Sequence, residues 1–244
     1  MRRVKALLLA GGVGGRLRPL TETTPKCLVP IASRPLLDYW FEALGRAGVY
    51  DVLINTHHLA EQVRAYIGEV NRAGPFHVVE TFEPEPLGSA GTVHANRDWV
   101  ADADDCLLIY ADNLSSVNLA ALLRFHASHD DPMTMMLFHA SEPRRCGIAD
   151  LDSDDRIVSF VEKPERPKSD LANAGVYVVS AQAYREIADL NVFDLGFDVL
   201  PRFVGRMRGW LGDCYHRDIG TLDSLRLAEQ EAPSAFGSPE GAKA

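Results

Sequence analysis

The sequence predicts an α/β protein with three layers, α/β/α, and a mostly parallel central sheet. Two observations predict it: apolar runs of strand length alternate with helical patterns, and the first run leads directly into a glycine-rich turn. Strands that are apolar throughout are typical of a sheet covered by helices on both faces. No linker or internal repeat divides the 244 residues, so we predict one domain over residues 1–230 and a flexible tail over residues 231–244.

The elements follow from hydrophobic periodicity and from turn residues. A helix is predicted after Pro35, because apolar residues recur at helical spacing up to Leu44 and Gly48 ends the pattern. We assign Trp40 and Phe41 in this stripe to the core. Strands are predicted at residues 4–10, 51–56, 76–80, 106–110, 133–139, 148–151, 157–162, 174–180 and 208–211. Further helices are predicted at residues 59–71, 91–100, 119–127, 181–188, 197–205 and 221–229.

Composition excludes several classes of partner. The formal net charge of -9 argues against a nucleic-acid partner, although a few cations gathered in one cleft could still bind a single anion. No segment approaches the roughly 20 apolar residues of a membrane span, so we predict no membrane partner. The four cysteines fit no zinc pattern and are predicted to be free thiols. The N-terminal apolar run is too short for a signal peptide, and we therefore predict a cytoplasmic protein.

The turn after the first strand carries the first chemical signal. Residues 11–15, the glycine-rich turn, contain four glycines, whose backbone amides can approach an anion closely. Arg16, Arg18 and Lys26 add positive charge. The dinucleotide fingerprint would need a glycine in place of Leu17, and the Walker A pattern is absent. By itself the turn favours phosphate binding only slightly over a flexible loop with solvated arginines.

A longer pattern extends this signal. The run from Gly11 to Ile31 closely resembles the opening of the sugar-1-phosphate nucleotidyltransferases, the nucleotide-sugar pyrophosphorylases, which usually have threonine where Gly15 stands. Later segments match the same family in order: Gly88-Ser89-Ala90-Gly91, Tyr110-Ala111-Asp112-Asn113, Glu162-Lys163-Pro164, Asn173-Ala174-Gly175-Val176-Tyr177, Phe197-Asp198-Val199-Leu200-Pro201 and Arg217-Asp218-Ile219-Gly220-Thr221. In the second of these, Ala111 replaces the usual glycine. The resemblance covers about residues 4–228 and implies a Rossmann-like nucleotidyltransferase fold.

The resemblance also implies roles for individual residues. Nucleotide contacts are expected from Leu9, Ala10, Gly11, Gly12, Gly14, Gly15, Gly88, Ser89, Ala90 and Gly91. Catalytic charge is expected from Arg16, Lys26, Lys163 and Asp112. Contacts with the sugar are expected from Glu162, Asn173, Gly175 and Asp198. Asp112 and Asp218 are expected to hold a Mg²⁺ cofactor, an ion that prefers carboxylate and phosphate oxygens.

Each of these residues also has a simpler interpretation. Asp112 and Asp218 could cap the helices that follow them, Lys163 could be an ordinary surface lysine, and Asn173 could bond to backbone. The segment Glu83-Pro84-Glu85-Pro86 is interpreted as a rigid acidic loop. His126 and His129 have the i,i+3 spacing of a metal pair, but without a third ligand nearby we predict surface histidines.

The resemblance implies an enzyme that joins a nucleoside triphosphate to a sugar 1-phosphate and releases pyrophosphate. The Gly88-Ser89-Ala90-Gly91 run is similar to the Gly-Thr-Ala-Gly of guanylyltransferases, which favours GTP with mannose 1-phosphate or a manno-heptose 1-phosphate. Two alternatives stay open: a uridylyl- or thymidylyltransferase acting on glucose 1-phosphate, and a regulatory protein that binds nucleotide-sugars without catalysis. A homo-oligomer is compatible with such an enzyme, and the sequence carries no signal for it.

Overall fold

The computed structural model of the chain describes residues 2–237. The strands are β1 Val4–Leu9, β2 Pro30–Ile31, β3 Arg34–Pro35, β4 Asp51–Thr56, β5 His77–Phe82, β6 Asp105–Tyr110, β7 Asn113–Ser115, β8 Met133–His139, β9 Gly147–Leu151, β10 Ile157–Glu162, β11 Leu171–Ser180, β12 Met207–Leu211 and β13 His216–Asp218. The α-helices are α1 Leu36–Arg46, α2 Ala60–Ala73, α3 Ser89–Ala95, α4 Leu119–His126, α5 Ala181–Asp189, α6 Leu200–Phe203 and α7 Leu222–Phe236. None of these helices is long and apolar enough to cross a bilayer.

Nine strands form the central sheet. Strands β6, β1, β4 and β5 lie side by side and parallel, as the alternation of strands and helices predicts. Strand β11 runs antiparallel between β6 and β8, and β12 pairs in parallel with β8. Strands β9 and β10 form an antiparallel pair at one edge. The mostly parallel sheet predicted from the sequence is confirmed, and the strand-rich second half extends this sheet.

Helices cover both faces of the sheet, because successive residues of a strand point to opposite sides. Leu7 and Leu9 face a core formed with α3, α5 and α6, whereas Ala6 and Leu8 face a second core formed with α1, α2 and α4. The predicted apolar stripe of α1 lies in the second core, where Trp40 is fully buried. The predicted three layers are therefore present.

Most element bounds agree with the prediction, and the differences have local causes. Strands β4, β8 and β10 match it to the residue. The helix predicted at residues 197–205 is instead a π-turn, Leu195–Val199, followed by α6. Pro201 lacks an N–H and cannot continue the hydrogen bonding of the preceding turn. Helix α7 runs through the first six residues of the predicted tail, since Ala232 is buried and Phe236 stacks on Tyr39, with ring centroids 4.7 Å apart. Residues 238–244 of the predicted tail lie outside the described residues.

The prediction of a surface histidine is wrong at His126. This side chain is buried, with its Nε2 3.5 Å from Asp105 Oδ1 and its Nδ1 2.8 Å from Thr134 Oγ1. The Thr134 hydroxyl lies on β8 beneath the last turn of α4, and His129 Nε2 meets it at 2.9 Å. Both histidines thus satisfy one buried hydroxyl, as buried polar groups require.

His129 makes fold stability depend on pH. Its Nδ1 is buried and has no hydrogen-bond partner among residues 2–237, and burial, followed by the neighbouring His126, lowers its pKa from 6.5 to about 4. Because the unfolded chain binds this proton more readily, stability is lost as the pH falls from about 6.5 toward about 4. When urea unfolding is measured at neutral and at mildly acidic pH, the free energy of unfolding should fall less on acidification for His129→Gln than for the wild type. Equal losses in the two proteins would contradict this assignment.

Candidate active site

The candidate site lies where the parallel strands β1 and β6 end. In open α/β sheets ligands bind in the crevice outside the carboxyl ends of the strands. The glycine-rich turn follows β1, and Asp112 comes two residues after β6. The Ala111 N–H donates to the Leu9 carbonyl at 3.1 Å, which fixes the two strand ends together.

A buried lysine joins the two predicted metal ligands. Lys26 Nζ donates to Asp112 Oδ2 at 2.7 Å and lies 3.6 Å from Asp218 Oδ1. The Lys26 side chain is only 7% exposed, whereas those of Asp112 and Asp218 are 39% and 55% exposed. The ammonium therefore anchors two carboxylates that open toward solvent. These three residues come from separate loops, and the structure brings them together as the resemblance implies.

Two strands of three residues each bring Asp112 and Asp218 close together. Strand β7 follows Asp112, strand β13 ends in Asp218, and their antiparallel register places Asn113 opposite Asp218. The Ile219 N–H also donates to the Asp112 carbonyl at 3.2 Å. Helix α7 supports β13, because the Arg217 guanidinium is paired with the Glu231 carboxylate at 2.8 Å. The Arg217 side chain is therefore engaged in an ion pair that stabilises the fold, although the residue is next to Asp218 in the sequence.

The glycine-rich turn uses only part of its hydrogen-bonding capacity internally. The N–H groups of Ala10 and Gly11 donate to Asn55 Oδ1 at 2.7 and 3.1 Å. Those of Gly12 and Gly14 make no hydrogen bond within residues 2–237. Gly14 has φ 61, and a side chain there would lie 2.8 Å from Thr21 Cγ2. The amides at Gly12 and Gly14 are thus among the donors left for a ligand, while those at Ala10 and Gly11 are satisfied.

Arg16 adds a second positive charge near Lys26, beside the glycine-rich turn. Its guanidinium is exposed and lies 4.0 Å from Asp218 Oδ2, a separation typical of a weak surface pair. A β-carbon on Gly220 would come within 2.7 Å of the same guanidinium, so the glycine keeps space for it. Arg16 therefore retains donors for an anionic ligand beside Lys26.

The GSAG loop, residues 88–91, is held by a segment that the sequence pattern did not single out. Gly88 has φ 77, and a β-carbon there would meet the Phe193 carbonyl at 2.3 Å. The Ala90 N–H donates to that carbonyl at 3.0 Å. Ser89 Oγ donates to Asp194 Oδ2 at 3.3 Å and accepts from the Leu195 N–H at 2.8 Å. The Ser89 hydroxyl is therefore committed to loop structure.

Glu162 and Lys163 lie side by side at the end of β10. A β-carbon on Gly147 or on Gly196 would come within 2.5 or 2.9 Å of Glu162 Oε2, so two glycines make room for this carboxylate. Burial raises the pKa of Glu162, and the charge of Lys163 partly offsets the rise. Lys163 is exposed, with its Nζ 3.8 Å from Glu162 Oε1 and 5.5 Å from the centroid of the exposed Phe197 ring.

Cys146 lies beside Lys163 at the Glu162 end of the site. Burial raises the pKa of its thiol, and the negative charges of Glu162 and Asp218 raise it further. Its carbonyl accepts the Lys163 N–H at 3.0 Å. Sequence reasoning assigned no role to this residue, because a single cysteine outside any spacing motif gives no signal.

Three predicted sugar contacts are engaged in internal structure. Asn173 Nδ2 donates to the Tyr177 hydroxyl at 2.7 Å, and its Oδ1 accepts the Gly175 N–H at 2.9 Å. Gly175 has φ 70 at a bulge of β11, where a β-carbon would lie 3.0 Å from the Tyr110 ring. Asp198 Oδ2 accepts the Asp194 N–H at 2.8 Å. The simpler interpretation of Asn173, a bond to backbone, is present in the structure.

The structure thus places a glycine-rich turn beside a buried lysine and two open carboxylates at the end of an α/β sheet, an arrangement suited to phosphate groups. Residues 5–234 match the protein family described as nucleotidyl transferase, and the chain belongs to that family. The predicted family is therefore confirmed.

Curated relatives carry two kinds of name. A glucose-1-phosphate thymidylyltransferase of Streptomyces griseus is 39% identical over 77% of this chain and 52% of its own length. A mannose-1-phosphate guanylyltransferase of Mycobacterium tuberculosis is 32% identical over 91% of this chain and 63% of its own length. The chain thus spans about half to two thirds of the length of these relatives.

Solved structures share the fold. The structure of HddC from Yersinia pseudotuberculosis complexed with GMP-PN has a TM-score of 0.77 at 25% identity, and the alignment covers 95% of this chain and all of that one. A Bacillus anthracis crystal structure has a TM-score of 0.79 at 23% identity and covers 97% of this chain. The Rossmann-like nucleotidyltransferase fold expected from the resemblance is confirmed.

Proposed function

We propose that the protein transfers the nucleoside monophosphate part of a nucleoside triphosphate to a sugar 1-phosphate and releases pyrophosphate. The observation that carries this proposal is the Lys26 ammonium, held between Asp112 and Asp218 beside the glycine-rich turn. A cation fixed next to two carboxylates and free backbone amides suits a ligand made of phosphate groups.

The chemistry needs positioning more than proton transfer. A sugar-phosphate oxygen attacks the α-phosphorus in line, and the bond from that phosphorus to the pyrophosphate oxygen breaks. The nucleophile is already anionic at neutral pH, because the second pKa of a phosphate monoester is about 6. Lys26 holds the transferred phosphate, Arg16 and the amides of Gly12 and Gly14 hold the leaving pyrophosphate, and Lys163 neutralises the sugar phosphate.

Asp112 and Asp218 suit a divalent cation. Mg²⁺ usually takes one or two protein carboxylates and completes its shell with water and substrate phosphates. No cluster of three or more histidine, cysteine or acidic side chains within residues 2–237 could hold a metal by itself, so these two carboxylates would act together with phosphate oxygens. When bound there, Mg²⁺ would neutralise phosphate charge.

Two substrate pairs have support. The relatives named mannose-1-phosphate guanylyltransferases cover 91% and 96% of this chain, and the HddC structure holds GMP-PN. We therefore favour GTP with mannose 1-phosphate or a manno-heptose 1-phosphate. The Streptomyces griseus relative, at 39% identity, supports dTTP with glucose 1-phosphate as the second candidate.

Pyrophosphate release in the presence of Mg²⁺ tests both pairs. GTP, UTP, dTTP, CTP and ATP are each combined with mannose 1-phosphate, a manno-heptose 1-phosphate and glucose 1-phosphate. Release with GTP and a manno-sugar supports the favoured pair, and release with dTTP and glucose 1-phosphate replaces it with the second. No release from folded protein that binds a nucleotide would overturn the catalytic proposal in favour of the regulatory alternative.

The carboxylates are tested with the active substrate pair. Asp112→Asn and Asp218→Asn are each expected to lower the rate by at least about 10²-fold, because each removes a charge that orients a metal–phosphate complex. Asp213→Asn, which removes a carboxylate from the loop between β12 and β13, is the matched control and should retain activity. Full activity of Asp112→Asn or Asp218→Asn across a range of Mg²⁺ concentrations would exclude that residue from the site.

A further inference from the structure

A buried hydrogen-bond network lies behind the glycine-rich turn, outside the residues to which the sequence assigns a role. At its centre is Asn55, next to last in β4 and almost fully buried. Its Oδ1 accepts the N–H groups of both Ala10 and Gly11, and its Nδ2 donates to Glu83 Oε1 at 3.0 Å and to Thr92 Oγ1 at 3.3 Å. Only this orientation of the amide gives each donor an acceptor.

The other end of the network holds the GSAG loop. Glu83 is also almost fully buried, and its Oε1 accepts the Thr92 hydroxyl at 2.6 Å. Its Oε2 accepts the Leu87 N–H at 3.2 Å, directly before Gly88. Thr92 lies in α3, whose first turn contains Ser89, Ala90 and Gly91 of the loop, and its hydroxyl also lies 3.0 Å from the Gly88 carbonyl. Glu83 has no cationic partner within 4.0 Å among residues 2–237, so donors alone satisfy its carboxylate.

We propose that Asn55 is a positioning residue that, through Glu83, sets the glycine-rich turn and the GSAG loop in one arrangement for the nucleotide. This inference rests on the proposed function for its ligand. One amide side chain satisfies the first two N–H groups of the turn and at the same time contacts the carboxylate that holds the other loop. The turn amides, Asn55, Glu83 and the GSAG loop thus form one continuous chain of hydrogen bonds, through which a shift in one loop is passed to the other.

Gly11 supports this assignment. A β-carbon at Gly11 would lie 2.8 Å from Asn55 Nδ2, closer than real β-carbons approach. The absence of a side chain at Gly11 thus lets Asn55 reach both amides. The network also explains why the Ala10 and Gly11 amides are satisfied within the protein, whereas the Gly12 and Gly14 amides have no acceptor within residues 2–237.

The first test replaces the donating amide nitrogen of Asn55 by a carboxylate oxygen and keeps the shape of the side chain. In Asn55→Asp, one oxygen still accepts the two turn amides, but the other faces Glu83 Oε1 at the place of the 3.0 Å contact. Two carboxylates this close oppose each other's ionisation, so they share a proton at low pH and repel each other once that proton is lost at high pH. We expect the Kd for GTP of this variant to rise at least about tenfold more than that of the wild type between about pH 6 and pH 9. His57, whose Nδ1 lies 2.8 Å from the Glu83 carbonyl oxygen, is present in both proteins and cancels in the comparison.

The second test is a reciprocal swap. In the double variant Asn55→Asp/Glu83→Gln, the new amide donates to the new carboxylate, and net charge is unchanged. We expect this variant to recover a GTP Kd within about threefold of the wild type and to lose the added pH dependence. A purely structural role for Asn55 predicts that Asn55→Asp loses stability while the GTP Kd of its folded fraction and the pH dependence of that Kd stay those of the wild type.

The matched control is Asn71→Asp. Asn71 also makes a two-sided bridge, accepting the Val78 N–H at 2.7 Å and donating to the Val78 carbonyl at 2.9 Å. This change should alter stability and leave the GTP Kd and its pH dependence unchanged.

Backbone hydrogen exchange provides a readout that needs no nucleotide. In Asn55→Asp at high pH, segments 9–15 and 83–92 should lose protection together, and the double variant should restore both. Loss in segment 9–15 alone, or a double variant that stays folded without recovery, would overturn the proposal. If the wild type releases no pyrophosphate but the exchange pattern is as expected, the proposed function fails and the positioning role of Asn55 stands.

Discussion

Replacing Lys26 by methionine is expected to lower kcat/KM for pyrophosphate release by about 10²–10³-fold, the usual effect of losing one donor to a developing phosphate charge. Methionine matches the length and apolar stem of lysine, so the change removes mainly the ammonium. That ammonium lies 2.7 Å from Asp112 and 3.6 Å from Asp218. Without it, the two carboxylates repel each other and the incoming phosphates, and the loss should appear in both kcat and KM.

Lys5 offers a matched control on β1. Its ammonium is also largely buried, pairs with Asp102 at 2.5 Å and lies near the start of the strand, away from the glycine-rich turn. Lys5→Met should lower stability and leave kcat/KM within about threefold of the wild type. Lys26→Arg should stay impaired, because a planar guanidinium does not fit a site shaped for a compact ammonium. Equal activity of Lys26→Met and Lys5→Met at matched folded fractions would exclude Lys26 from the reaction.

The parallel half of the sheet was predictable because its signals are local. Strands β1 and β4 are apolar runs bounded by turn residues, and each run contains the information that identifies it. The glycine-rich turn and Lys26 could likewise be singled out, since both lie in the continuous run from Gly11 to Ile31. The same locality explains the assignment of Trp40 to the core, because helical spacing alone places it on the buried face.

The rest of the site depends on contacts between distant parts of the chain. Strands β7 and β13 have three residues each, too few for periodicity, yet their pairing brings Asp218 to Asp112. Asn55 gave no sign that it would reach the glycine-rich turn, and Glu83 was interpreted as part of an acidic loop although it is buried. A single sequence shows the chemistry of such residues but not which partner satisfies them.

The second large effect is expected from Trp40, which links the core to the site. The indole is fully buried in the core beneath α1, and its Nε1 donates to the Asn113 carbonyl at 2.9 Å, one residue after Asp112. Trp40→Ala should lower the free energy of unfolding by about 3–5 kcal/mol, because it leaves a large cavity. Urea unfolding followed by circular dichroism measures this loss.

Trp40→Phe separates packing from the hydrogen bond. It keeps an aromatic ring in the core but leaves the Asn113 carbonyl without its buried donor, at a cost of about 1–3 kcal/mol. Because that carbonyl belongs to the residue after Asp112, Trp40→Phe should also lower kcat/KM. The control is Phe41→Leu, a change on the same helix at a side chain that makes no hydrogen bond to β7. It should affect stability alone. A Trp40→Phe protein with wild-type kcat/KM would show that the position of Asp112 is set by Lys26 and β13 without help from the core.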